Sequence, residues 1–583
     1  MKMMLRVLSV LLILCMLTAT FAACEVVDPG QSETSPDTAG VTDPATDPET
    51  DPESDPETDP ESESESTTEP VDPPVKVLPL LERYPYTLTQ ADYDIFVALM
   101  DECRALLLPD GTDAEAIEEK LDEMISLYYQ IETQVLMIRL QTDIDTKSEE
   151  LSEQYLFAFE MLTNAFDLYQ QLCKDVDNST SAYRETFFAD WTAEELEEMR
   201  GYTPEQMEIE NKIQELEAEY RMFDRDQLLA NTGALYLQLI DLNNQMAQLN
   251  GYENYVDYAY AEVYDRDYAP EDMETMREYV REHLVPLLGT LYSDFENALN
   301  SLSPNNHNHL VSLLYSDYDV VAYAAFEAYL EFLPDELGNA MMDAIKSKNA
   351  VFSDDEEKSN AGAYANYLTE KEHPICYFGP GYQDTLTVLH ELGHYCAMYL
   401  NEGGDGSMDI AETHSQGNEY LFLAYIRNNR NSASYSALRK YRLFEDVLTV
   451  IMSTIVDEFE QYVYTHEIED PAELDEIMNQ IRDSYISKET LDSYGVIDLN
   501  EYWKSVAIEQ ECYYISYGVS ALAAIQLYGM GVENFDQAIE SYSAIVHAPT
   551  EELGFMAALE KAGLMSPFEE SLYEFLPSLR SKS

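Results

Sequence analysis

The chain has 583 residues, 45% hydrophobic and 25% charged, a globular composition with room for roughly two to four domain-sized units. Its charge is lopsided: 32 Lys and Arg stand against 113 Asp and Glu, a formal net of −81. A field of that sign repels phosphate backbones and excludes nucleic acid as a partner, and the single strongly apolar stretch, at the N-terminus, excludes a multi-span membrane protein.

Residues 1–24 read as a lipoprotein signal peptide. Lys2 and Arg6 form a positive segment and Val7 to Leu17 an apolar one, shorter than the ~20 residues a bilayer core needs. Cys24 directly after Ala22-Ala23 resembles a bacterial lipobox, with Phe21 standing where that pattern prefers an aliphatic residue. The resemblance implies a lipid on Cys24 and a protein held on the exterior face of a bacterial membrane, touching it only through that lipid; ordinary secretion is the alternative. Residues 25–76 read as a disordered tether. From 25 to 75 there are 17 acidic residues and no Lys or Arg, with repeated Asp-Pro-Glu units from Asp43 to Glu61, so the chain buries little and repels itself. Without the two basic residues of the leader and these 17 acidic ones, the remainder still carries −66. Beyond Cys15 and Cys24, the cysteines are Cys103, Cys173, Cys376, Cys396 and Cys512, an odd number with no CxxC pair, which predicts buried free thiols.

From about residue 88 the apolar residues recur at three- and four-residue spacing, predicting a mainly α fold. Residues 77–204 form an N-terminal helical region and 205–583 a catalytic domain in this reading. Helices are predicted at 113–142, 148–175, 235–249, 270–300 and 435–468. Thr203-Pro204-Glu205-Gln206 opens another, as a capping Thr, a first-turn Pro and a Gln three residues on, and the next thirty residues are read as its continuation. His307 and His309 fall in a segment, Ser303 to His309, read as a polar surface loop. Pro374 to Phe378 is the best strand candidate, ended by Gly379-Pro380-Gly381.

His390-Glu391-Leu392-Gly393-His394 carries the chemistry. Two His four apart share one helix face and can ligate one ion, and Glu391, one position round, reaches a water at that ion but not the ion itself. A catalytic zinc site takes a third protein ligand and leaves one position open. Asp405, Asp409, Glu412 and Glu419 all follow within reach, and spacing leaves the choice between them open. Glu412, Ser415 and Glu419 share a helix face, and Glu419 is placed to accept the second N–H of a ligating imidazole. His414 lies about 200° from Glu412 around such a helix and reads as a wall residue, and Cys396 faces away from the metal.

These residues, His390 to His394 followed by Glu412-Thr413-His414-Ser415 and Glu419, resemble the oligoendopeptidase F / thimet oligopeptidase family of zinc peptidases. So do Gly251-Tyr252 to Tyr258, Lys358 to Tyr364, His373-Pro374 to Gly381, and Cys512 to Tyr517, over roughly residues 205–575. The resemblance implies a two-lobed helical shell around a deep substrate channel, with a small β element beside the zinc helix. It implies one Zn²⁺ per chain on His390, His394 and Glu412, Glu391 as general base, and Ser415 and Glu419 behind the ligands. It further implies Tyr514 and Tyr517 as hydroxyl donors to the oxyanion, and substrate lying along the strand at Ile375, Tyr377 and Gly379. The expected function is cleavage of short unstructured peptides by a monomer. The chain departs from the family in a shorter connection between His394 and Glu412, and in having no His from Trp503 to Glu511. That second departure gives the alternative, a catalytically weakened peptide-binding lipoprotein of the same fold.

Overall fold

Two large buried apolar cores, and a small one joining them, organise the described residues of this computed structural model. These are residues 79–583 apart from 109–110, 190, 192–195, 197–202, 222, 224, 316–319, 369–372, 402–405, 497, 507, 509–510 and 552. The leader with Cys24 and the whole of the tether lie outside them. The first core belongs to α1 (Gln90–Leu107), α2 (Ala114–Ile144) and α3 (Glu149–Asp177). Side chains cap each helix: Asp92 accepts from Thr89 N at 2.8 Å, Asp113 from Ala116 N at 3.3 Å and Ser148 Oγ from Leu151 N at 3.3 Å. The α3 residues Ala158, Met161, Leu162, Ala165, Tyr169, Leu172 and Val176 are buried at helical spacing against Phe96, Met100 and Tyr128.

The second core holds most of the residues from Ile209 onward, and a small third one packs Leu136, Met137 and Leu140 of α2 against Tyr364, Ile375 and Tyr377. Helix α4 (Pro204–Arg221) starts with the predicted reciprocal cap, Thr203 N to Gln206 Oε1 at 2.8 Å and Gln206 N to Thr203 Oγ1 at 3.2 Å. It does not continue for thirty residues. A new helix, α5 (Arg225–Leu249), begins after Phe223, and the break goes with tertiary anchoring: Tyr220 Oη donates to the Lys504 carbonyl at 2.9 Å. The run predicted at 270–300 is helical from Asp272 to Asn300 through a widened π turn at Val280–Leu284. That turn precedes Pro286, which cannot donate to a regular ladder. His307 and His309 lie on a helix, Pro304–Tyr315, rather than in a loop; Pro304 occupies its first turn and His309 packs its ring on Tyr435.

Among the described residues the sheet has three strands, β1 (Ala350–Phe352), β2 (Ala363–Asn366) and β3 (Ile375–Phe378), in the order β1-β3-β2. β3 is central: Tyr377 sits opposite Val351 on the parallel side and Tyr364 on the antiparallel side. This corrects the expectation that substrate lies along Ile375, Tyr377 and Gly379. The ladder groups of Ile375 and Tyr377 are committed to neighbouring strands, and Gly379 N donates to Gly362 O at 2.8 Å. The end of α2 grips this sheet. Asp143 accepts from Tyr364 Oη at 2.8 Å, and its carbonyl accepts from Asn360 N at 2.7 Å and Tyr377 Oη at 3.0 Å.

Helices α6 (Thr385–Leu400), α7 (Met408–Asn429), α8 (Ala433–Thr465) and α9 (Ile515–Glu533) follow. Among the described residues, one helix, α9, is long and apolar enough to cross a membrane. It is instead a core helix, with 83% of its most apolar window buried in the protein. The five cysteines among the described residues are free and buried, and burial pushes the Cys103 thiol up to about 11 and that of Cys173 to about 12.

Candidate metal centre

Asp384 starts α6, its side chain accepting from Leu386 N at 3.0 Å and Thr387 N at 3.2 Å, a cap that stabilises by about 1 kcal/mol. From there the helix buries Val388, Leu389, Leu392, Tyr395 and Cys396, and so turns His390 and His394 to the other side. Their rings meet edge to face with centroids 5.0 Å apart. Helix α7 is buried along its whole length from Asp409 to Ile426, and it brings Glu412 to the pair. Ligating atoms of His390, His394 and Glu412 all lie within 4.8 Å of one another, and His390 Nε2 is 3.4 Å from Glu412 Oε2. Two imidazole nitrogens and a carboxylate oxygen are the donors a catalytic zinc site uses, with geometry that leaves a fourth position to solvent.

The groups behind the three donors are in place as well. His390 Nδ1 donates to Glu419 Oε1 at 2.9 Å, which fixes the tautomer that turns Nε2 toward Glu412. Ser415 Oγ donates to Glu412 Oε2 at 3.3 Å and to the Glu412 carbonyl at 3.0 Å. Asn418 Nδ2 ties α7 to α6 through the Leu389 carbonyl at 2.6 Å. Burial opposes a charge on His390, but Glu412 and Glu419 outweigh it and hold the imidazole well above its ordinary value. Burial alone would raise the Glu412 carboxyl; its bond to His390 keeps it below. Burial brings His394 down to about 4, leaving a neutral imidazole fit to ligate. Burial, reinforced by Glu412 and Glu419, lifts Glu391 to about 7 against the pull of His390. Among the forces on Glu391 is a hydrogen bond from the Ala365 N–H, so one backbone donor of β2 points at this carboxylate.

His414 is fully buried, with its ring edge-on to His394 at 5.2 Å, a wall position. Cys396 turns away, its thiol within 3.9 Å of the Leu337 carbonyl. Asp409 is occupied by Tyr268, whose hydroxyl donates to it at 2.8 Å. Asp405 lies outside the described residues. Of the two tyrosines singled out, Tyr517 is near the site: its hydroxyl is 3.4 Å from that of Tyr513, which is itself 3.4 Å from Glu412 Oε1. Tyr514 instead packs its ring on Tyr502 and Tyr517. Tyr513 was not singled out by sequence reasoning. Nor was Arg442 of α8, whose Nε lies 3.0 Å from Glu419 Oε2 and whose Nη2 lies 3.1 Å from Oε1. Arg442 holds Glu419 in the orientation that fixes His390. Replacing it with Met is expected to weaken metal binding about 10- to 100-fold, as loss of such outer support does; unchanged affinity in a competitive chelator titration would refute this.

No family model matches the chain, and no curated protein matches it in sequence. Solved structures do. A PZ peptidase A with an inhibitor superposes with a TM-score of 0.64 at 19% identity, over 86% of this chain and 98% of that one. An X-ray structure described as an oligoendopeptidase F gives 0.62 at 18% identity, over 86% and 97%. Another, from Bacillus anthracis str. Ames, gives 0.60 at 17% identity, over 85% and 96%. The chain has the oligoendopeptidase F fold. That likeness covers 85–86% of this chain, more than the 205–583 region alone.

Proposed function

We propose that the protein is a zinc-dependent endopeptidase acting on short unstructured peptides. The observation that carries this is the convergence of His390, His394 and Glu412 from two helices on one point, with the Glu391 carboxylate beside it. Zinc held by these three groups would polarise the scissile carbonyl and acidify the attacking water. Glu391, its affinity for protons raised toward neutrality, accepts the water's proton and returns it to the leaving amine. The Tyr513 and Tyr517 hydroxyls stand on the Glu412 side of the site, where they donate to the oxyanion as the carbonyl is attacked.

Substrate runs along β2 rather than β3 in this reading. β2 is the outer strand on the antiparallel side of the sheet among the described residues, with the Ala365 N–H directed at Glu391, so its outer edge would offer main-chain donors and acceptors beside the reacting groups. The leader and the acidic Pro-rich tether motivate the proposed location, outside the cell, with lipid on Cys24 as the anchor.

The test is cleavage of a quenched-fluorescence peptide library by the purified protein, with and without chelator, followed by zinc add-back. The expected result is cleavage that disappears with chelation and returns with zinc. Chelator-insensitive cleavage would remove the mechanism. Zinc binding with no cleavage would favour the peptide-binding alternative, motivated by the lack of His from Trp503 to Glu511.

A further inference from the structure

The turn that delivers Tyr513 and Tyr517 is strained and pinned. Cys512 has φ 59°, a left-handed conformation that a residue with a side chain adopts only when its surroundings impose it. Three neighbours impose it. Tyr264 Oη donates to the Glu511 carbonyl at 2.7 Å, Glu460 Oε1 accepts from Cys512 N at 2.9 Å, and Arg266 Nη2 donates to the Cys512 carbonyl at 2.9 Å. Arg266 is the member that reaches furthest. The same Nη2 donates to Ser516 Oγ at 2.9 Å, in the first turn of α9, while Nε lies 3.7 Å from Asp409 Oδ2 on α7, three residues before Glu412. The guanidinium side chain is wholly buried, its charge faced by the rings of Tyr260 at 4.4 Å and Tyr264 at 4.6 Å. Its own segment bends through a second left-handed residue, Asp265 at φ 47°.

We infer that Arg266 is a positioning residue for peptide cleavage, locking the strained Cys512 turn to the helix of the third metal ligand so that the Tyr513 and Tyr517 hydroxyls face the reacting carbonyl. The inference rests on the peptidase reading. Arg266 touches neither substrate nor metal; it acts through the backbone at Cys512 and through Ser516. Nη2 makes both hydrogen bonds while Nε faces Asp409 on α7, a span that the single ammonium of a lysine, although it keeps the cation in the tyrosine cage, does not cover.

The experiment measures kcat, KM and zinc content for the wild type, Arg266→Lys, Tyr517→Phe and their double variant. Arg266→Lys is expected to lower kcat about 10²-fold, the scale of a small misplacement of reacting groups, with KM and zinc content unchanged. In the Tyr517→Phe background the same change should cost less, because one of the two hydroxyls it positions is already gone. Adding Cys512→Gly to Arg266→Lys should recover several-fold in kcat, since glycine adopts the left-handed turn without the clamp. Wild-type kcat in Arg266→Lys, a loss that adds in full to Tyr517→Phe, or a loss that tracks missing zinc would each overturn the inference. If Arg266→Lys does not fold, Ser516→Ala decides: it removes one of the two Nη2 acceptors, and an unchanged kcat overturns the inference. A wild type that cleaves nothing overturns the peptidase reading and this inference together, whereas a cleaving wild type beside an equally fast Arg266→Lys overturns this inference alone.

Discussion

Glu391→Gln is expected to lower kcat on a peptide substrate by about 10²- to 10⁴-fold, the range that a positioned acid–base group supplies, while zinc content stays that of the wild type. Glu391 precedes His394 by three residues on α6 and is not among the three groups whose donor atoms converge, so the ion does not depend on it. The replacement is nearly isosteric and neutral. It leaves the Ala365 N–H an acceptor in the amide oxygen and puts no unpaired charge into a residue only 7% exposed. What it removes is the ability to take a proton at the reacting water. Metal analysis beside steady-state kinetics separates the outcomes. Full activity in the variant would mean that another group is the base; lost activity with lost metal would mean that Glu391 serves the site's structure rather than its chemistry.

The parts of this site that a sequence reader can find are those set by local geometry. His390 and His394 follow from the helix period alone, and Ser415 and Glu419 follow from the same period once Glu412 is taken as a ligand. The choice of Glu412 over Asp409 was not legible from spacing, because what disqualifies Asp409 is long-range: Tyr268 bonds to it and Arg266 faces it, both from about 140 residues earlier. The strand error has the same origin. β1 and β2 have three and four residues, too short to show a period, so nothing revealed that the apolar run at Ile375 would be sandwiched between them. Tyr513 was hidden by a break in helical phase. Regular helix begins at Ile515, after the left-handed Cys512, so helical spacing from Tyr517 could not say which of Tyr513 and Tyr514 faces the site; the resemblance pointed to Tyr514, whereas the chain turns Tyr513 to the ligand. His307 and His309 were misread because Ser303-Pro304-Asn305-Asn306 has loop composition, although Ser and Pro in that order equally open a helix; Asn306 N bonds Ser303 Oγ at 3.4 Å.

Gly393→Ala is expected to damage metal binding and stability together, and the sign of the stability change is diagnostic. The pattern HExxH leaves position 393 free in sequence terms, but α6 and α7 touch there backbone to backbone. A Cβ on Gly393 would lie 2.6 Å from Ser415 Cα and 2.7 Å from the His414 carbonyl oxygen. Both are main-chain atoms, so no rotamer change relieves the clash and the helices must move apart. In a close-packed core such overpacking costs typically about 1–3 kcal/mol. The same displacement separates His390 and His394 on one helix from Glu412 on the other, and a shift near 1 Å at reacting groups costs about 10²-fold in rate. An isolated helix would respond in the opposite direction, since Ala is favoured over Gly mid-helix by about 1 kcal/mol. A Gly393→Ala protein that melts lower, binds zinc more weakly and cleaves about 10²-fold more slowly would support the close contact as what sets the ligand spacing. One that melts higher and keeps its zinc would show that the two helices do not approach as described, and with that the convergence of the three donors would lose its structural basis.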